Sequence, residues 1–238
     1  FGYGTTGSVS SLTNLVNSSG VVATDTTGVG TAREGAQGAG YGGDKAIFGY
    51  GDTGSVTAMS NLVSNAGVIA SDVTGVGTSR RYLAAAAYGG VAAGKAIFGY
   101  GLVSSVTAIT NLVSNVGVVA ADVSGVGTAR YGVAAAGYGT DKAIFAYGYN
   151  GSSDVSMSNL VNSSGVVAAD VSGVGTVRRV LAATGYGGDK AIFAYGHAGS
   201  TDVSMSNLVN SSGVVASDVT GVGTARAGAA AAGYSITA

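Results

Sequence analysis

Two glycine patterns in this chain have the spacing of nucleotide-binding loops. Gly2-x-Gly4-x-x-Gly7 and Gly49-x-Gly51-x-x-Gly54 match the dinucleotide fingerprint, and an acidic residue, Asp25 or Asp72, follows each. That fingerprint holds a pyrophosphate only where a strand feeds a helix N-terminus. Here another β-rich run follows, so the glycines read as turn residues. Gly89 to Lys95 spells the start of a phosphate loop, but Ala96 stands where a hydroxyl must hold magnesium. The match arises only from the tripeptide Val91-Ala92-Ala93.

The remaining chemistry-bearing residues recur. Asp25, Asp72, Asp122, Asp170 and Asp218 each precede an Arg by eight residues. A ring of carboxylates suits cations, yet nothing else acidic recurs beside them to complete a calcium shell of six to eight oxygens, as a rough norm. They read as turn caps or partners of the arginines, and no metal or other cofactor is expected. His197 is the sole histidine and lies in the loop His197 to Asp202, so a triad or metal cluster would have to be built on it alone. Glu34 is the sole glutamate, which leaves paired-carboxylate glycosidase chemistry unsupported. Catalysis is not expected. Ten tyrosines at fixed positions suit either ligand stacking or packing between repeats, and packing fits their sameness better. Asn17, Asn150, Asn162 and Asn210 begin glycosylation sequons, which matter only in a secreted eukaryotic context.

These residues are positioned by a repeat. Lys45-Ala46-Ile47-Phe48-Gly49-Tyr50-Gly51 returns at Lys95, Lys142 and Lys190, and the chain opens on its second half at Phe1. Phe1, Phe48, Phe98, Phe145 and Phe193 share one register, as do Arg33, Arg80, Arg130, Arg178 and Arg226. Such fragments bury their apolar faces only by stacking on one another. With 238 residues, 43 glycines, no proline, no cysteine and a net charge of −1, the chain excludes disulfides, thiolate metal sites and electrostatic nucleic-acid binding. The most apolar window, Tyr82 to Val103, is broken by glycines and reads as two successive strands rather than a membrane span.

Each period contains four β-rich runs. In the third full copy they are Val133 to Tyr138, Lys142 to Tyr147, Val155 to Val161 and Val166 to Ala169, with turns at Gly139-Thr140-Asp141 and Asn162 to Gly165. Periodicity leaves the third run open between strand and helix, and its Ser, Thr and Asn content favours strand. The order Arg130, Ala134 to Tyr138, Ile144 to Gly148, Asn159 to Val161, Arg178 resembles the kelch repeat, although Gly-Tyr-Gly replaces the double glycine and the fourth-run Trp is absent. That resemblance implies an all-β five-bladed β-propeller with four antiparallel strands per blade. Repeats of this wording are also similar to those in virion or tail proteins of bacteriophages. A single domain over 1–238 is expected, its closing blade shared by 1–25 and 226–238. In that blade the strand at Phe1 pairs with the segment ending at Tyr234. The alanine-rich first runs supply the small side chains that a tight ring centre needs.

Copies differ in the loop after the second run and in the segment after each recurrent Arg. Both should emerge on one face, which makes that face the candidate ligand surface: Arg81, Tyr82, Tyr131, Tyr149, Asn150, Asp154, His197 and Asp202. The expected role is a non-enzymatic recognition module for a carbohydrate or cell-surface receptor, in an extracellular or virion assembly. The alternative is a structural domain docking other proteins. Neither nucleic-acid binding nor membrane insertion is expected.

Overall fold

A computed structural model describes residues 1–90 and 94–233. The described residues are all-β and contain no helix. The strands are β1 (Gly2–Thr5), β2 (Val9–Thr13), β3 (Gln37–Tyr41), β4 (Lys45–Asp52), β5 (Val56–Val63), β6 (Ala84–Tyr88), β7 (Lys95–Gly99) and β8 (Thr110–Val113). They continue as β9 (Ala134–Tyr138), β10 (Lys142–Ala146), β11 (Ser158–Val161), β12 (Ala182–Tyr186), β13 (Lys190–Ala194), β14 (His197–Ala198), β15 (Thr201–Asp202) and β16 (Ser206–Val209). They form six small antiparallel sheets, none closed on itself.

Each full repeat contributes one three-stranded sheet with the Lys-Ala-Ile-Phe strand in the middle, as in β9–β10–β11. The third run is strand in every copy. The apolar window from Tyr82 is the antiparallel pair β6 and β7, with Tyr88 opposite Lys95; the tripeptide Val91-Ala92-Ala93 lies outside the described residues.

The fourth run departs from expectation. It forms no continuous strand and touches its neighbour only through isolated bridges, such as Val113 with Val119 and Thr110 with Val123. Register slips by one residue between those two bridges. In the gap the Asn111 amide donates to the Ala120 carbonyl at 3.0 Å and to Asp122 at 2.9 Å. A side chain thus replaces part of the backbone ladder, and the sheets have three strands rather than four.

The middle strand bends where its motif reaches tyrosine. Tyr3, Tyr50, Tyr100, Tyr147 and Tyr195 all sit in the left-handed region at φ of 62 to 64°. Pairing slips there, between Gly49 and Gly51 in β4, as a β-bulge does. Left-handed backbone costs a non-glycine residue roughly 1–2 kcal/mol. The bend offsets that cost by swinging the ring out of its own sheet and between two repeats. There Tyr100 packs edge-on to Phe145 with centroids 5.1 Å apart, beneath the Arg130 guanidinium at 4.3 Å. The following glycine donates its N–H across the same junction, Gly101 to the Arg130 carbonyl at 2.9 Å.

First strands β3, β6, β9 and β12 lie beside one another in that order. Their small residues permit the approach: a Cβ on Gly137 would come within 3.2 Å of the Ala87 carbonyl oxygen. Cores form between successive sheets, one of them uniting Ala84 and Tyr100 with Val133 and Phe145. At the chain start β1 pairs with β2 alone among the described residues. The expected pairing of Phe1 with the segment at Tyr234 lies outside them.

Candidate functional site

Two polar constellations stand out, one repeated and one unique. The repeated one surrounds each recurrent Arg. Arg130 is fully buried; it donates through Nε to the Tyr147 carbonyl at 2.9 Å, through Nη1 to the Thr128 carbonyl at 2.9 Å, and through Nη2 to Asn159 Oδ1. Asn159 passes a bond of 2.9 Å to Asp170, which accepts from the Thr128 N–H and hydroxyl at 2.9 and 2.7 Å. One closed polar network therefore ties the lead-in, second, third and fourth runs together. Burial opposes the charge on Asp170, but bonds from Thr128 and Asn159, together with Arg130, hold its carboxyl below the ordinary carboxylate range. Burial likewise pulls the Arg130 guanidinium down and pushes the Tyr100 and Tyr147 hydroxyls up to about 12. The recurrent aspartates in the full repeats serve these networks. Among the described residues no three His, Asp or Glu side chains converge as metal ligands.

The unique constellation is built from the segments in which copies differ. Single bridges pair the two variable segments: Arg81 with Leu102, Tyr131 with Tyr149, Arg179 with His197. Behind them runs a chain of backbone bonds: Tyr82 to Gly35 at 3.1 Å, Gly132 to Tyr82 at 2.9 Å, Val180 to Gly132 at 2.8 Å and Gly228 to Val180 at 3.1 Å. All five residues of that chain have positive φ, including Tyr82 at 52° and Val180 at 56°. Strain of this kind persists where the surroundings over-determine it.

On this frame Tyr82, Tyr131 and Tyr149 form a half-buried ledge, with centroids 6.1 Å apart for the first pair and 5.5 Å for the second. Arg81 lies over Tyr82 and Arg179 over Tyr149, both at 5.2 Å. Asp52 pairs with Arg81, and Asp154 holds Arg179 at 2.8 Å while accepting the Gly199 N–H at 3.0 Å. Arg81 Nε is buried without a partner.

His197 and Asp202 face each other across the short β14–β15 hairpin, Nδ1 to Oδ1 at 2.8 Å, and among the described residues no hydroxyl bonds the imidazole. Asn150 accepts the N–H groups of Ser152 and Ser153, both at 2.9 Å, and so shapes its own loop. The structure thus gathers Arg81, Tyr82, Tyr131, Tyr149 and Asp154 into one surface and sets His197 and Asp202 at its end, with Asn150 as loop support. Asp52 and Arg179 complete it. Their sequence signal is internal: the doubled arginines Arg80-Arg81 and Arg178-Arg179 follow the loops that hold Asp52 and Asp154. Neither a family model nor a curated protein matches the chain. Chemically, the site offers three half-buried tyrosine rings in a row, the outer two each capped by a guanidinium that is in turn paired with a carboxylate.

Proposed function

We propose that the chain is a non-enzymatic recognition module that binds a glycan, or a glycosylated cell-surface receptor, across the Tyr82–Tyr131–Tyr149 ledge. The carrying observation is that an ordered aromatic row, clamped by Arg81–Asp52 and Arg179–Asp154, is assembled from residues that the repeat does not require. The scaffold repeats; the ledge does not.

The frame we infer is a kelch-like, five-bladed propeller in an extracellular or virion assembly. Its support is the chemical match between two incomplete networks. Asn14 and Asp25 bond each other at 2.8 Å, and among the described residues no Arg side chain bonds either of them. Arg226 lies over Tyr195 and, among the described residues, its side chain donates only to the Thr224 carbonyl. Arg226 and Thr224 are the residue types that the network of Asn14 and Asp25 lacks.

A glycan array tests the function: selective binding of particular saccharides supports it, and uniform absence of binding on an intact, folded chain overturns it. A second reading, a protein-docking domain, is favoured by one observation. Val68, Val118, Val166 and Val214 recur at the same outer position and are more than half exposed, at 61 to 67%. Pull-down of a protein partner that is lost on Val118→Asp and Val166→Asp, together with an empty array, would select that reading.

A further inference from the structure

A cavity of about 840 Å³ opens at the far end of the first strands from the ledge. Strand β6 begins beside Tyr82 and ends at Tyr88, which lines this cavity. Tyr41, Tyr138 and Tyr186 line it in equivalent positions, with Lys45, Lys142, Lys190 and the glycines of the first turns. Its size falls within the range of small-molecule sites, about 300–1,000 Å³.

Among the described residues three ammonium groups and no carboxylate line the cavity. Asp44, Asp141 and Asp189 sit beside these lysines, at 2.6, 3.1 and 3.5 Å, but none belongs to the lining. These pairs join sequence neighbours whose side chains are 38 to 51% exposed, and such pairs hold weakly. A ligand can therefore recruit the ammoniums without breaking a buried interaction. In the second full repeat Gly94 stands before Lys95 where the others have Asp, which leaves these four hairpins with four lysines and three aspartates. The excess lysine gives the recess a modest positive balance, which favours oppositely charged solutes.

We propose that this cavity binds a small multivalent anion carrying phosphate or sulfate groups, held by Lys45, Lys142 and Lys190. The site is separate from the ledge and independent of what the ledge binds. Two sources carry that chemistry, a free oligophosphate and a sulfated saccharide, and the experiment has an arm for each. Calorimetric titrations use the full chain with tripolyphosphate, with a polysulfated disaccharide, and with the same disaccharide unsulfated. Binding of either anion is expected, weakening as salt screens the site, and any binding of the neutral sugar at the ledge should be insensitive to salt and to the lysine substitutions. The variant Lys45→Gln/Lys142→Gln/Lys190→Gln should lose at least about tenfold in affinity with an unchanged melting temperature. The corresponding triple Arg variant should retain binding, and Tyr131→Ala on the ledge should leave anion affinity as it is. Anion affinity that survives the Gln substitutions, neutral-sugar binding that the Gln substitutions abolish equally, or no anion binding at low-millimolar concentration would overturn the proposal.

Discussion

At the scale of single residues, the chain depends on arginines that it buries completely and pairs with backbone carbonyls and an asparagine. Arg130 contributes donors to Tyr147, Thr128 and Asn159 and stacks on Tyr100 of the preceding repeat. Replacing it with Met leaves Asn159 Oδ1 and the Tyr147 and Thr128 carbonyls without their donor, while the partly exposed Asp170 keeps its bonds from Thr128 and Asn159. A buried acceptor left unsatisfied costs about 1–3 kcal/mol, so Arg130→Met should lower the urea midpoint by at least one such increment. Under the proposed ring Arg226→Met should lower the midpoint comparably, whereas no change would mean that Arg226 stays exposed and the ring is open. The aspartates of the same networks set the acid limit. Asp72, Asp122, Asp170 and Asp218 all have carboxyl groups held below their ordinary range when folded. A depressed folded value means that the unfolded chain takes up protons first as pH falls. Their stabilisation is therefore complete above the unfolded value of about 4 and is lost as pH drops below it, through the folded values. Denaturant midpoints measured from pH 6 to pH 2 should fall over that window, and Asp122→Asn/Asp170→Asn should flatten the dependence.

At the scale of elements, the informative positions are those where backbone and side chain constrain each other. Gly127 has φ of 76°, and a methyl group there would overlap Asp170 Oδ1 and Asn159 Nδ2 of the polar network. Gly54 has φ of 103°, and a methyl group there would meet nothing within 4 Å. Gly54→Ala therefore incurs only backbone strain, about 1–3 kcal/mol, whereas Gly127→Ala adds the loss of the network. Paired urea denaturations should show at least about twice the destabilisation for Gly127→Ala, with no change in slope.

The same comparison explains what could be read from sequence. The Lys-Ala-Ile-Phe strand and its Ala/Gly-rich partner were legible, because apolar runs bounded by glycine turns have few other solutions. The fourth run was not. Val118-Val119-Ala120-Ala121 has strand composition, but the Asn111 amide takes the place of part of its ladder, an exchange that composition does not encode. Nor does tyrosine announce its left-handed backbone at Tyr50 or Tyr82, since nothing in its chemistry favours that region. Candidate-site residues were legible as differences among copies. The pairing of Asp52 with Arg81 and Asp154 with Arg179 required seeing that the two variable segments bridge each other.

At the scale of the whole molecule, the repeats stack through Tyr rings, Arg guanidiniums and several backbone bonds per junction, such as Gly101 to Arg130, Gly132 to Tyr82 and Gly89 to Asp141. Interior repeats place each recurrent Thr hydroxyl against its Asp, as Thr78 to Asp122 at 2.6 Å. If the ring closes, Thr224 and Asp25 occupy that relation. The chain has no cysteine, so an engineered pair is unambiguous. Asp25→Cys/Thr224→Cys should form a disulfide within the monomer under oxidising conditions, as should the interior control Thr78→Cys/Asp122→Cys, since bridging needs Cβ atoms within about 4.5 Å. Cross-linking of the control alone, or only between molecules, would contradict closure.

The central claim is that a scaffold of constant repeats presents one variable aromatic ledge for recognition. Its most direct test compares the wild-type chain with Tyr82→Ala/Tyr131→Ala/Tyr149→Ala against a saccharide selected on the array, alongside thermal unfolding of both. Loss of saccharide binding with a melting temperature within a few degrees of wild type is the predicted result. Undiminished binding by the variant would contradict the claim.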